Sequence, residues 1–448
     1  MDQPAPDQTP TPPGPSRAAA AWRQLRQEQL AWRVALAATL ALPPMLLASR
    51  ALADGLISLT ALLFLAVRLA PLHGRRQLAW AGRPWHALAL GFWVWQLGTS
   101  IARGDGHQIT EAFVLLRLFL FIAALEDWVL VEPAPRRWLG WVVGATVLWI
   151  GIECWQQYLT GVNLFGHGRW VDGELTGPLT KPRAGPIFVQ LAFPGLLAPL
   201  VALLGAPGRV RRVAGGVGLA LMVLTQVLIG QRMPLLLMGL GLGVVALWLP
   251  RLRLPAAIAL AAGLVLAGLT IVVSPRTYHK LVVQFFRQMT HFLATQYAQL
   301  FERAAVMITA HPWFGLGFDG FRDHCLDRIY WHNLSWLAIA NPASSLGCSI
   351  HPHNYYLEVA TGAGLPGLAL FVLLALAWLW RIGRGAAQGG ERAGQRVGLF
   401  AAAAIILWPI ASTTSLFTLP NAGCVVLVIG WGLAEARAAI AGITPARG

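Results

Sequence analysis

The chain has 448 residues, of which 56% are hydrophobic and only 12% charged, and its mean hydropathy is +0.58. A water-soluble domain carries about a quarter charged residues, so this composition excludes an ordinary soluble fold and indicates a polytopic membrane protein. The 34 Lys and Arg outnumber the 19 Asp and Glu, but they sit in short clusters between apolar runs. That is the arrangement of the positive-inside rule, and it argues against nucleic acid as a partner.

Residues 2–16 are rich in Pro and polar groups and read as a disordered tail rather than a signal peptide. The stretch WRQLRQEQLAWR (22–33) reads as a basic interfacial segment, so 1–33 is expected to be a cytoplasmic, disordered and interfacial N-terminus. About twelve apolar runs are long enough to span, at roughly 20 residues per crossing. They lie near 34–50, 53–71, 84–102, 110–131, 138–159, 185–205, 213–230, 234–249, 256–274, 355–380, 397–413 and 419–436. Spans one to nine thus occupy 34–274, spans ten to twelve occupy 355–436, and 437–448 is a short tail.

Basic clusters follow the even-numbered spans: Arg75, Arg76 and Arg83; Arg136 and Arg137; Arg209, Arg211 and Arg212; Arg251 and Arg253; and Arg381, Arg384, Arg392 and Arg396. Those loops and both termini are therefore expected in the cytoplasm, and the odd-numbered loops outside. The longest outer loop, 275–354, has roughly 80 residues and is too long for a bare connector. Within it, Tyr278 to Met307 shows a helical apolar period and reads as a helix on the membrane surface, with a further helical stretch over Phe301 to Thr309. Cys325 and Cys348 share this loop and could be joined or free; Cys154 and Cys424 lie in apolar runs as inert core residues.

The turn GLGFDG (315–320) follows no strand and opens no βαβ unit, so it is not a dinucleotide fingerprint, and no Walker motif is present. Nucleotide chemistry has no sequence support. No internal repeat or pair of broken helices points to a transporter. The only charges that stand out in or near the apolar runs are Arg68, Arg117 and Glu153, which argues against a flippase.

Chemistry concentrates in SIHPHNYYLEVATGAGLPGL (349–368), where a polar loop enters span ten. His353 is the candidate general base, because an imidazole is the usual proton acceptor near neutral pH. The plainer alternative is that His351 and His353 pack at the interface against Tyr355 and Tyr356; Asn354 and Glu358 beside them favour chemistry. Arg232 lies in the short outer turn between spans seven and eight, against the charge bias, and is a candidate anion ligand, with snorkelling to the interface as the alternative. Arg303 is a third candidate, with a salt bridge to Glu302 as the alternative; Arg183 and Lys181 before span six are weaker ones. Arginine's planar fork matches phosphate oxygens, so this set fits a grip on a lipid-linked pyrophosphate. Metal ligation fits poorly, since HPH lacks a carboxylate third ligand and no HExxH or DxD occurs.

Three stretches, IGQRMPLLL (229–237), ERAAVMITAHPWFGLGFDGF (302–321) and HPHNYYLEVATGAGLPGL (351–368), resemble the bacterial O-antigen ligase family, which includes O-antigen polymerases and protein O-oligosaccharyltransferases. Gln231 stands where the family usually has a small residue. The resemblance implies an all-α, GT-C-like membrane glycosyltransferase of the bacterial inner membrane, inverting and metal-independent, with its active site facing the periplasm. It implies transfer of an O-antigen polysaccharide from undecaprenyl pyrophosphate to a sugar hydroxyl of lipid A-core, without nucleotide. By motif, His353 would be the base and Arg232 and Arg303 the pyrophosphate ligands, with Arg183, Lys181 and Asn354 in support. A polymerase, a protein-glycosylating enzyme and a polysaccharide transporter are the competing expectations.

Overall fold

The computed structural model describes residues 17–69, 83–337, 339, 341–410 and 414–442, with side chains from Gln27 on. The expected disordered tail (2–16), Arg75 and Arg76, and the last residues of the C-terminal tail (443–448) lie outside the described residues.

Among the described residues each apolar run lies largely on a helix, and no extended strand occurs. The first half comprises α1 (Arg17–Ala48), α2 (Arg50–Leu69), α3 (Pro84–Arg103), α4 (Gly106–Val114), α5 (Leu116–Ala124) and α6 (Pro133–Thr160). Then follow α7 (Ala184–Gly205), α8 (Arg209–Ile229), α9 (Arg232–Trp248) and α10 (Arg253–Val273). The long loop carries α11 (Pro275–Tyr278), α12 (Gln284–Thr290), α13 (Gln296–Ala310) and α14 (Gly320–His324), and the chain closes with α15 (Tyr355–Ala386), α16 (Ala393–Ile406) and α17 (Asn421–Ala441). Among the described residues nine helical segments are long and apolar enough to cross a bilayer, α4 and α5 counting together through a π-turn at Leu125–Val129. At 17 and 14 residues, α9 and α16 are shorter. The protein is an all-α polytopic membrane protein.

Its surface explains why it belongs in lipid. On α10, Leu264 is 75% and Val272 81% exposed, and Trp141 on α6 is 75% exposed. A helix apolar both inward and outward has no amphipathic solution in water; it needs a hydrocarbon surround. Inside, α7 packs against α6, α8, α9, α16 and α17, with Phe193 fully buried at its centre. Trp85, Phe92, Phe121 and Trp431 fill the neighbouring core between α3, α5, α15 and α17.

The charge pattern needs a correction. Besides Arg68, Arg117 and Glu153, the apolar runs hold Arg50, Asp54, Glu111, Glu126, Asp127, Glu358 and Glu435. Arg83 meets both Glu126 and Asp127, the latter at 2.6 Å, and Arg437 meets Asp127 at 2.8 Å. Glu435 faces Arg392 and, at 3.5 Å, Arg136. Pairing makes such residues tolerable in a low dielectric, and these pairs tie the basic ends of α3, α6, α16 and α17 together. His86, Glu126 and Asp127 bring three metal-capable atoms within 4.8 Å of one another. The arginines already compensate both carboxylates, so this cluster is an ion-pair clasp. Glu153 accepts a hydrogen bond from the Leu164 backbone at 3.0 Å and so fixes the loop after α6.

The long loop departs from the expected surface helix. It breaks at His291–Ala294, and one helix, α13, runs from Gln296 through Ala310 in place of the shorter stretch expected at 301–309. Thr295 causes the break: its side chain accepts from the Ala298 backbone and caps α13. Phe286 and Met289 stay exposed, at 63% and 57%, in keeping with a segment lying on lipid. Cys325 and Cys348 are joined by a disulfide, which closes the loop over α13.

The glycine-rich turn after α13 docks on a break in α15. Gly364 has φ 68° and ψ −174°, so the helix is interrupted there. Leu316 and Gly317 donate to the Thr361 and Gly362 carbonyls at 2.8 and 2.9 Å, and Leu365 donates back to Pro312 at 2.7 Å. Trp95 Nε1 donates to the Ala363 carbonyl at 2.7 Å, so α3 holds the same break. The GLG turn and the TGAGLPG stretch are thus two halves of one joint. A Cβ at Gly364 would approach the Trp313 carbonyl oxygen to 2.4 Å. Gly364→Ala is therefore expected to cost about 3 kcal/mol, from backbone strain plus the clash, and to lower the thermal midpoint of the detergent-solubilised protein. An unchanged midpoint would contradict this joint.

Candidate active site

The segment before α7, the turn between α8 and α9, and the start of α15 meet around a cavity of about 580 Å³. Gly230, at φ 81°, ends α8 in the left-handed conformation, and α9 starts two residues later at Arg232. So short a turn fixes the arginine at the mouth of both helices. Gln231 reaches the other way: its Nε2 donates to the Pro182 carbonyl at 2.5 Å, and Leu175 donates to the Ile229 carbonyl at 3.1 Å. These bonds hold Lys181 and Arg183 beside Arg232. Gln231, the departure from the family pattern, is what joins the two basic segments.

Lys181, Arg183, Arg232 and His353 all line this one cavity. Arg232 also donates to Gln288 of α12 at 2.5 Å, so the surface segment contacts the site. Six cationic side chains, Arg50, Lys181, Arg183, Arg232, Lys280 and Arg322, face two carboxylates, Glu174 and Asp319. Lys280 pairs with Glu174 at 2.6 Å, and Arg322 approaches Asp319 at 3.6 Å. Among the described residues the other four cations have no carboxylate partner, so the cavity is built to receive an anion.

In the same lining, His353 sits with φ 54°, and Asp319 with φ 57°. Among the described residues these are the two non-glycine residues with positive φ, and both line the cavity. Strained backbone concentrates at sites where geometry matters more than local stability. The His353 backbone donates to His351 Nδ1 at 3.3 Å, and its ring meets the edges of His351 and Tyr297 at centroid distances of 4.4 and 5.7 Å. Nδ1 of His353 is buried without a hydrogen-bond partner, and the residue lines the cavity. Burial lowers the pKa of His353 below its ordinary 6.5, and burial drives His351 down to about 3. Both rings are neutral at physiological pH, and His353 can accept a proton.

The turn of α15 behind His353 is clamped by its own motif. Glu358 accepts from Ser415 Oγ at 2.5 Å and from the Leu416 backbone at 3.1 Å. Asn421 donates to the Tyr355 hydroxyl at 2.7 Å and accepts from Gln190 of α7 at 2.9 Å, and Tyr356 donates to the Leu407 carbonyl at 2.7 Å. The segment before α17 and the helix's first residue thereby join the cavity lining through Thr414, Ser415 and Asn421.

Two expected residues are not brought to the cavity. Arg303 is 3% exposed, and its guanidinium donates to the carbonyls of Cys325 at 2.5 Å, Pro342 at 2.8 Å and Ser344 at 3.1 Å while stacking over Trp331. Its donors are spent on the folded loop rather than on the cavity, and Glu302 instead accepts from the Leu334 backbone at 2.9 Å. Asn354 is the N-cap of α15, accepting from the Tyr356 and Leu357 backbones at 2.9 and 3.2 Å. Sequence reasoning missed Arg50, Lys280, Asp319 and Arg322. In the sequence Arg50 is only the end of the first apolar run, and Asp319 lies in the GLGFDG turn without a charge partner that marks it out.

Comparison with known families gives one finding: a family model described as O-Antigen ligase matches residues 217–372. The match includes Arg232 and His353 and the whole outer loop, and leaves Lys181 and Arg183 outside it. No curated protein matches the chain.

Proposed function

From the premise that the chain carries the O-antigen ligase family's domain over residues 217–372, we propose that it is an inverting glycosyltransferase that moves O-antigen polysaccharide from undecaprenyl pyrophosphate to a sugar hydroxyl of lipid A-core. The family makes the substrates polysaccharide and lipid in general. The observation that carries the finer reading is the sharing of one cavity by a neutral histidine and four cations that have no carboxylate partner among the described residues.

In this reading Lys181, Arg183 and Arg232 hold the diphosphate, and the acceptor hydroxyl lies against His353. The hydroxyl oxygen attacks the anomeric carbon from the face opposite the diphosphate. The bond from that carbon to the diphosphate oxygen breaks as the new glycosidic bond forms, and the hydroxyl proton passes to His353. The electron pair leaves on the lipid diphosphate, where the cations neutralise the growing charge. Of the two lining carboxylates, Glu174 is already engaged by Lys280, a poor donor set for a divalent ion, which supports a metal-independent reaction. Arg303 and Asn354 act here as positioning residues. The Cys325–Cys348 disulfide supports an oxidising, periplasmic side for the cavity, and the arginines at the far helix ends support cytoplasmic termini in the inner membrane.

Deleting the gene tests the reading in the cell. Lipid-linked polymer accumulating beside bare core is the expected outcome. Core capped by single repeats would instead assign a polymerase, and unchanged lipopolysaccharide would refute both.

A further inference from the structure

A second cavity of about 500 Å³ adjoins the first and shares Arg50, Lys181, Arg183 and Pro420 with it. Arg232 and His353 line the first cavity alone. The three shared cations therefore form a ridge, with the reacting groups on one side and the second cavity on the other. The far side differs in character. Leu46 and Leu47 at the end of α1, Leu179, and Phe165 line it, the last 60% exposed. Among the described residues no carboxylate pairs with Arg50, Lys181 or Arg183, so the charge of the ridge is available to a ligand. A molecule lying across it must be anionic at its middle and apolar at the end away from His353.

We infer that the second cavity is the subsite for the lipid-side phosphate and first isoprene units of the donor, with Arg50 as its specific phosphate ligand. This rests on the proposed transfer reaction and deepens it. The sugar-side phosphate lies with Arg232 in the first cavity, the lipid-side phosphate lies on Arg50 and Lys181, and Arg183 stands between them. The prenyl chain leaves past Leu46, Leu47 and Leu179 toward the membrane. Two phosphates on two sides of one ridge make the site selective for a diphosphate over a monophosphate, because a monophosphate reaches one side only. The turn between α1 and α2, held together at Ser49, thereby becomes part of the donor site.

The test uses the full-length protein in lipid nanodiscs. Dissociation constants for undecaprenyl diphosphate and undecaprenyl monophosphate are measured for the native chain, Arg50→Gln and Arg50→Lys, with donor and acceptor KM from the transfer assay. Arg50 is exposed, so the variants should fold, and the thermal midpoint checks this. Arg50→Gln is expected to weaken binding of both lipids about tenfold or more, because undecaprenyl monophosphate keeps the lipid-side phosphate, and to raise donor KM to match, with acceptor KM little changed and partial recovery in Arg50→Lys. Unchanged diphosphate binding in Arg50→Gln overturns the subsite. A rise confined to acceptor KM overturns it too, and assigns the second cavity to an acceptor phosphate. If the native chain binds diphosphate but transfers nothing, the reaction is refuted, while the Arg50 comparison still decides the subsite.

Discussion

Replacing His353 is expected to reduce transfer by about 10²- to 10⁴-fold, the usual contribution of a positioned general base, with the protein inserting and folding as before. The backbone at His353 is left-handed, so alanine adds strain of its own. Asn tolerates that conformation better, which makes His353→Asn the cleaner variant: it removes the proton acceptor and keeps the turn. The His351 Nδ1 contact to the His353 backbone survives in it. The same reading fixes a pH dependence. Because burial lowers the pKa of His353, the native rate should be level through neutral pH and fall only on acidification below about 6.5, as the imidazole gains a proton and can no longer accept one. His353→Asn should lose that acid limb. A variant that keeps a rate within about threefold of native would remove His353 from the chemistry.

Arg303→Ala is expected to act on stability. Its guanidinium satisfies three backbone carbonyls contributed by Cys325, Pro342 and Ser344, and it stacks over Trp331. Removing it strands those carbonyls in a buried site, at a cost of about 3–5 kcal/mol. The Cys325–Cys348 disulfide would keep the loop tethered but unable to cover α13. The thermal midpoint should drop by several degrees, and activity should fall with the folded fraction. Arg303→Lys should recover little, since one ammonium cannot reach three carbonyls in the guanidinium's plane. Donor KM, measured where the variant is still folded, should stay near native. A variant of native stability with a selectively raised donor KM would instead return Arg303 to the pyrophosphate.

These two residues show where sequence is informative and where it stops. Arg232 and Arg303 look alike in the chain, each an arginine on the expected outer side. Only the path of 325–348 across α13 decides that one guanidinium faces carbonyls while the other lines the cavity. The spans were readable because a bilayer demands long apolar runs, whatever the tertiary packing. The break at His291–Ala294 was not, because the apolar period continues through it and the cap rests on Thr295 alone. Asn354 carried a readable signal: Asn directly before an apolar helix is a capping residue before it is a ligand. Glu126, Asp127 and Glu435 also stood in plain view, but their arginine partners come from distant helices. Arg50 and Asp319 entered the site through the fold alone, one from the first hairpin and one from a strained turn.

The most direct test of the account is a transfer assay with the purified full-length chain in lipid nanodiscs, supplied only with undecaprenyl-pyrophosphate-linked O-antigen, lipid A-core and EDTA. The account predicts core bearing polysaccharide, in amounts matched by released undecaprenyl pyrophosphate, with no nucleotide or divalent ion added. No product, or product only after a metal ion or nucleotide is supplied, would contradict it.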